Sequence, residues 1–426
     1  EACGGGGQGD FDARQRPHSM TRPDSSSLEQ LLLDSIDADD IVSLASALID
    51  AGGENPGDTE QSVANVLVDR CRSLGFDIEI EEIAPNRPNV IVSIGGSDRP
   101  GLLFVGHSDV VPAGGGWTTD PFEAVVHGGR LYGRGACDMK GGLAAVVIAM
   151  AALKHCGAVG DAPISLACLV DEEETGIGIR AFVRAPARRR YSHCVVAEPT
   201  DLVTITGCRG AANLEITVTG RSAHAGRPSN GRNAVSAAAR IVVLIDSLAS
   251  ELRACADPLL GPATWNVGTI EGGSGTSMVA DRCVLTADRR LLPGENAADI
   301  AAQLKTRIAA AGIGGDGIEV EVRVSMDMPG FSTSDRAELC IAAVEAVTDA
   351  VSPRGTDVWT ASCDGGFIAR DLGMPTIVLG PGEIETQAHQ PDESVSVDQL
   401  RDSARAYVLL ASRLITSPAV VAQRTG

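Results

Sequence analysis

Residues 102–105 read Leu-Leu-Phe-Val, and the run stops at Gly106-His107-Ser108-Asp109. A short, unbroken apolar run of this kind reads as a strand buried on both faces, as in the middle of a parallel sheet. Parallel neighbours need a crossover between them. One follows: Gly141–Leu153 is almost wholly apolar and helical in character, and Asp138 stands just before it. Folds of this class place ligands at the carboxyl ends of the strands, which is where His107 and Asp109 fall. His107 offers an imidazole to a ligand. Asp109, two residues on, shares its side of an extended chain and could orient that ring. Asp138 would add a carboxylate from the crossover. Taken alone, His107 and Asp109 could equally be a structural pair closing a strand; the rest of the chain supplies the other ligands.

Along the chain, helical spacing over residues 27–51 predicts one or two helices, and Thr59–Leu74 a further one ended by Gly75. Asp77–Ile83, Asn89–Ile94 and Ile164–Val170 read as strands, the last running into Asp171-Glu172-Glu173-Glu174. Cys194–Ala197 is another, ending in Glu198. Alternating strands and helices point to an α/β fold, a mostly parallel sheet with helices on both faces. The pattern changes near Gly207. Strands at Asn213–Thr219, Thr264–Ile270, Val279–Leu291 and Ile318–Val324 alternate with helices at Asn233–Leu252 and Ala297–Ala311. That order, β-α-β-β-α-β, is the ferredoxin-like split unit, inserted into the first domain. The first domain resumes with a helix at Ala337–Val351, a strand at Thr376–Leu379 and a closing helix at Val397–Leu414. The expected boundaries are therefore a disordered or non-native tail at 1–26, with Met20 a plausible start, then catalytic segments at 27–208 and 327–426 around an insert at 209–326.

The length of 426 residues suits two or three domains. A net charge of −21 argues against a nucleic-acid groove or an anionic membrane surface as partner. None of the eleven cysteines lies in a C-x-x-C pair, and several sit in apolar runs. A reducing, cytoplasmic setting without a disulfide framework is expected. The longest apolar run, Gly141–Leu153, falls short of the roughly twenty residues that span a bilayer.

Six motifs occur in order from Ser27 to the C-terminus: GHSDVVP, GRGACDMKGG, DEEETGIG, AEPT, RSAHAGRP and AHQPDE. On these the chain resembles the co-catalytic metallo-amidohydrolases that include acetylornithine deacetylase, succinyl-diaminopimelate desuccinylase, aminoacylase and glutamate carboxypeptidase. The resemblance implies two divalent ions, zinc first, with cobalt or manganese compatible. It assigns His107, Asp138 and Glu198 to one ion and Asp138, Glu173 and His389 to the other, with Asp138 bridging. Two ions sharing a carboxylate and a water lower that water's pKa and polarise a scissile carbonyl. In the family a Gly that starts a helix follows the ligand Glu by five residues. Gly178 stands five after Glu173, so Glu172 is the implied general base and Glu174 has no role.

The resemblance further assigns His224, on the insert, to the oxyanion, often that of the partner subunit in a homodimer. Arg290 would pair with a substrate carboxylate, and the Gly380-Pro381-Gly382 turn would offer backbone N–H groups to the same end. Ser277 stands where relatives carry an Asn that helps hold the substrate; a hydroxyl is shorter and has one donor. The implied activity is a deacylase acting on a small N-acyl amino acid or related acid. A carboxypeptidase or dipeptidase, an aminohydrolase or deformylase, and an inactive small-acid binder are the alternatives. His18, His127, His155 and His193 lie outside every motif.

Overall fold

The computed structural model describes residues 25–96 and 98–416. The expected tail lies outside the described residues as far as residue 24, with His18 and Met20; residues 25 and 26 already belong to the first helix.

The segment expected to hold one or two helices holds two, α1 (Ser25–Asp34) and α2 (Ala38–Asp50). Asp37 starts the second by accepting the Asp39 N–H at 2.9 Å, a side-chain N-cap. Next come α3 (Gln61–Ser73), β1 (Asp77–Ala84), β2 (Arg87–Ile94) and β3 (Gly101–His107). A hairpin of β4 (Val125–His127) and β5 (Arg130–Tyr132) was not anticipated. Then follow α4 (Gly141–His155), β6 (Ile164–Leu169), α5 (Ile177–Arg184), β7 (Tyr191–Val196) and β8 (Thr204–Cys208). The inserted segment comprises β9 (Gly210–Thr219), α6 (Ala234–Arg253), β10 (Thr264–Gly272), β11 (Arg282–Leu291), α7 (Ala297–Ala310) and β12 (Glu319–Met328). The chain closes with β13 (Phe331–Ser332), α8 (Glu338–Ala350), β14 (Thr356–Trp359), α9 (Gly365–Leu372), β15 (Thr376–Val378), α10 (Ile384–Gln387), β16 (Ser394–Ser396) and α11 (Val397–Thr416).

The large sheet runs β1-β2-β6-β3-β7-β15-β8-β13, with β14 also on β8. Its middle is parallel: β3 pairs with β6 and β7, and β15 with β7. Antiparallel strands close both margins. Every residue of β3 and of β6 is buried, as a strand covered on both faces requires. One face packs against α2, α3, α4, α8 and α11, the other against α5 and α9. The stretch Ala136–His155 is long and apolar enough to cross a membrane by composition, longer than the run read from the sequence, but 94% of it is buried inside the protein. It is the core helix. Gly142 lets this helix close on the carbonyl of Ala197, leaving no space for a side chain.

The insert builds its own four-stranded sheet, β10-β11-β9-β12, antiparallel throughout. Helices α6 and α7 cover one face, where Cys283, Leu285, Ala287 and Leu291 of β11 are buried. This is the split β-α-β order expected. Strand β11 begins at Arg282 rather than Val279, because the preceding residues pair elsewhere: Ala225 N–H donates to Ser277 and Val279 N–H to the Ala223 carbonyl, at 2.9 and 2.8 Å.

Candidate metal centre

Parallel pairing brings the ends of β6, β3 and β7 to one edge of the sheet. His107 is the last residue of β3, Glu173 lies just beyond β6, and Glu198 two residues past β7. Asp138 sits in an irregular turn, Ala136–Lys140, where its backbone leaves helical geometry (φ −119°, ψ 93°) before α4 begins. His389 comes from the loop after α10 and is held at φ +63°, a conformation few non-glycine residues adopt.

The five side chains meet. His107 Nε2 is 3.2 Å from Asp138 Oδ1 and 3.4 Å from Glu198 Oε1. His389 Nε2 is 3.4 Å from Asp138 Oδ2 and 3.2 Å from Glu173 Oε2. Each Asp138 oxygen therefore faces a different imidazole. Ligand atoms of His107, Asp138 and Glu173 lie within 4.8 Å of one another, and so do those of His107, Glu172 and Glu198.

Concentrating these carboxylates sets the electrostatics. Burial, then the charge of Asp138, pushes Glu198 up to about 8 and also raises Glu173. Burial lifts Glu172 well above the carboxylate range. Hydrogen bonds to Asp138 and Glu173 push His389 up to about 10. For His107, burial opposes the charge, but Glu198 and Asp138 outweigh it and raise the ring well above its usual value. Asp138, although buried, is held below its usual value by the two imidazoles. Three carboxylates and two imidazoles facing inward suit a divalent ion. The residues fit a metal.

The supporting shell differs from expectation at three places. His107 Nδ1 is oriented by the main-chain carbonyl of Asp109 at 2.9 Å, whereas the Asp109 carboxylate is 3.7 Å away. That carboxylate instead accepts the backbone N–H groups of Glu172 and Glu173, both at 3.2 Å. It fixes the acidic turn. The Gly380–Gly382 turn does not present free amides: Gly380 N–H donates to Thr200 Oγ1 at 3.2 Å and Gly382 N–H to Gln399 Oε1 at 2.7 Å. A side chain at Gly380 would lie 2.6 Å from the carbonyl oxygens of Ala197 and Glu198, so this glycine lets the turn pack onto the strand end bearing Glu198. Third, Glu393 stands outside the expected set. Its buried carboxylate accepts N–H groups of Gly135 (3.1 Å), Cys137 (2.8 Å) and Asp138 (2.9 Å), and Arg134 Nη1 at 2.8 Å. Four residues after His389, it bolts that loop to the turn carrying Asp138. The only sequence signal was its place at the end of AHQPDE.

His224, Ser277 and Arg290 belong to the insert. His224 is exposed, with Nδ1 accepting the Gly226 N–H at 3.0 Å, and the ladder between residues 223–225 and 277–279 sets Ser277 beside its loop. Arg290 alternates with Arg289 along β11, so it lies on the face away from α6 and α7; its Nε donates to Asp288 Oδ1 at 3.1 Å. Glu174 is exposed.

The sequence profile of peptidase family M20/M25/M40 matches residues 103–413, which takes in every residue of the cluster. The chain belongs to this family. Among M20 relatives, acetylornithine deacetylase of Vibrio atlanticus (strain LGP32) is 33% identical over 361 residues, 82% of this chain and 92% of that one. Succinyl-diaminopimelate desuccinylase of Caulobacter vibrioides (strain NA1000 / CB15N) is 32% identical over 397 residues, 88% and 96% respectively. The M20 fold recurs in aminopeptidase PepT of Bacillus cereus, with a TM-score of 0.73 at 22% identity over 90% of this chain and 100% of that one. It recurs also in the metallo-carboxypeptidase Sso-CP2 of Sulfolobus solfataricus, at 0.70 and 20% over 87% and 98%. The M20 chain is thus a hydrolase of the amidohydrolase type, in a metal-dependent family.

Proposed function

We propose that this M20 hydrolase removes the acyl group from a small N-acyl amino acid or related acid, with Glu172 as general base. The observation that carries the reading is the split of the acidic turn. Glu173 faces His389, while the Glu172 carboxylate lies among the ligand atoms of His107 and Glu198, where a water attacking an amide would have to be. In this reading His107, Asp138 and Glu198 hold one ion, and Asp138, Glu173 and His389 a second, zinc being suited to the donor set with cobalt or manganese as substitutes. The ions, when bound, supply an acidic water and polarise the carbonyl.

The remaining work falls to the chain. A Glu172 oxygen takes a proton from the attacking water and delivers it to the leaving nitrogen, so one carboxylate serves both transfers. His224 donates to the oxyanion. Arg290 and Ser277 receive the acid group of the substrate, on the insert face opposite α6 and α7. A homodimer and a cytoplasmic setting complete the proposal.

Its test is a screen of N-acetyl, N-succinyl and N-formyl amino acids and of dipeptides with metal-loaded protein. Release of free amine from an N-acyl acid, abolished by chelation, is expected. Glu172→Gln should lower turnover about 10²–10⁴-fold, as loss of a general base does, with metal content near that of the parent; Glu173→Gln should instead lose metal. Cleavage of dipeptides alone would overturn the deacylase reading.

A further inference from the structure

Asn55 lies in the loop between α2 and α3, 5% exposed. The loop is zipped to the segment after β3: Asn55 N–H donates to the Val110 carbonyl at 2.8 Å, and Val110 N–H to that of Gly53 at 3.0 Å. Its side chain is thereby delivered beside Asp109. One nitrogen, Nδ2, donates to Asp109 Oδ2 at 2.9 Å and to Asp171 Oδ1 at 3.0 Å. Both carboxylates are acceptors only, so the group between them must be the amide NH₂. Asp109 is fully buried and Asp171 3% exposed.

Both carboxylates hold the same turn. Asp171, at φ +67°, accepts at Oδ2 the N–H groups of Thr175 (3.1 Å) and Ile177 (3.3 Å) and the Thr175 hydroxyl. Arg87 Nη1 balances its charge at 3.1 Å, while the rest of that guanidinium is engaged by Glu60. Asp109 accepts the N–H of Glu172 at Oδ1 and of Glu173 at Oδ2. The turn is therefore gripped at Glu172 and Glu173 by Asp109, and its far end, at Thr175 and Ile177, is drawn back onto Asp171. Asn55 is the piece that joins the two grips.

We infer that Asn55 is a positioning residue for Glu172: its one side-chain amide ties the Asp109 and Asp171 carboxylates together and so fixes the turn that carries the base. The inference rests on the assignment of Glu172. Without the amide, the two buried carboxylates lose their common donor, and the Asp109 carboxylate that accepts the Glu172 N–H loses its tie to Asp171. A misplacement of about 1 Å at a reacting group costs about 10²-fold in rate. Asn55 touches neither substrate nor metal ligand side chains in doing this.

The test compares Asn55→Asp, which keeps the shape and exchanges the donor for an acceptor, with Asn55→Ala. Both are read in the zinc-loaded chain as kcat and KM per metal-loaded molecule, and by hydrogen–deuterium exchange over residues 171–176 with and without zinc. The expected result is a fall in kcat of about 10²-fold with KM little changed, metal content as in the parent, and faster exchange confined to that turn. A purely structural residue would lower folded fraction or metal content and leave kcat per loaded molecule unchanged; that result overturns the inference. So does failure of both variants to fold, which assigns Asn55 to the fold itself. Glu172→Gln runs alongside. If it is inactive while the Asn55 variants turn over normally, this inference alone fails; if it retains turnover, the base assignment fails and takes the inference with it.

Discussion

His389 is half exposed, yet its hydrogen bonds to Asp138 and Glu173 push its ring up to about 10. Glu198 is pushed to about 8 and His107 is also raised. Metal ligands bind deprotonated. At pH 7, therefore, loading the metal-free protein should expel protons from His389, His107 and Glu198, and the number expelled should fall as the pH rises past 8 and then 10. Calorimetric zinc titrations in buffers of different ionisation enthalpy measure this count. Observed enthalpies independent of the buffer at pH 7 would contradict it. The side chains that gather here were legible as candidates, since each lies within a recognisable motif. Asp109 was legible as a position but not as a set of bonds: sequence cannot say whether a carbonyl or a carboxylate of one residue meets the ring. Asn55 was not legible at all. It sits 54 residues from one partner and 116 from the other, and nothing in a lone Asn-Pro announces that two carboxylates will converge on it.

The turn Ala136–Lys140 shows how an element depends on charge rather than pattern. Its N–H groups point at Glu393, and Arg134 and Glu393 are both about 2% exposed or less. Glu393→Gln offers the same volume with one acceptor instead of two and sets an NH₂ against existing donors. Removing one partner of a buried pair costs about 3–5 kcal/mol, so chemical denaturation of the metal-free protein should show a loss of that size. A loss under about 1 kcal/mol, the scale of an exposed pair, would show that Glu393 does not clamp the turn. Long elements such as α4, α6 and β3 were readable because burial imposes a continuous or periodic apolar pattern on them. Strand β8, Thr-Ile-Thr-Gly-Cys, carries no such pattern, and β13, β14 and the β4–β5 hairpin are two to four residues long. Such pieces are fixed by partners already in place, information that no local window contains.

At the scale of the whole molecule, the proposed site has contributors on two sheets: ligands on the large one, and His224 with Arg290 on the insert. If His224 completes the site of a second copy, mixing His224→Ala with Glu172→Gln subunits should restore activity. Random exchange between equal amounts makes half the dimers mixed, each with one intact site of two, or about a quarter of the parent activity. A verified mixed dimer without rescue would place His224 in its own chain's site or in none. The insert has another property. It departs after Cys208 and returns at Phe331, and these two residues pair directly in the large sheet, followed by Gly207 with Ser332. Topologically the whole of it is the loop of a β-hairpin. Recombination could lengthen, trim or exchange that loop between lineages, and the strands that align His107, Glu173 and Glu198 would keep their register, so that what the insert brings to the site can change while the carboxylate–imidazole cluster stays in place.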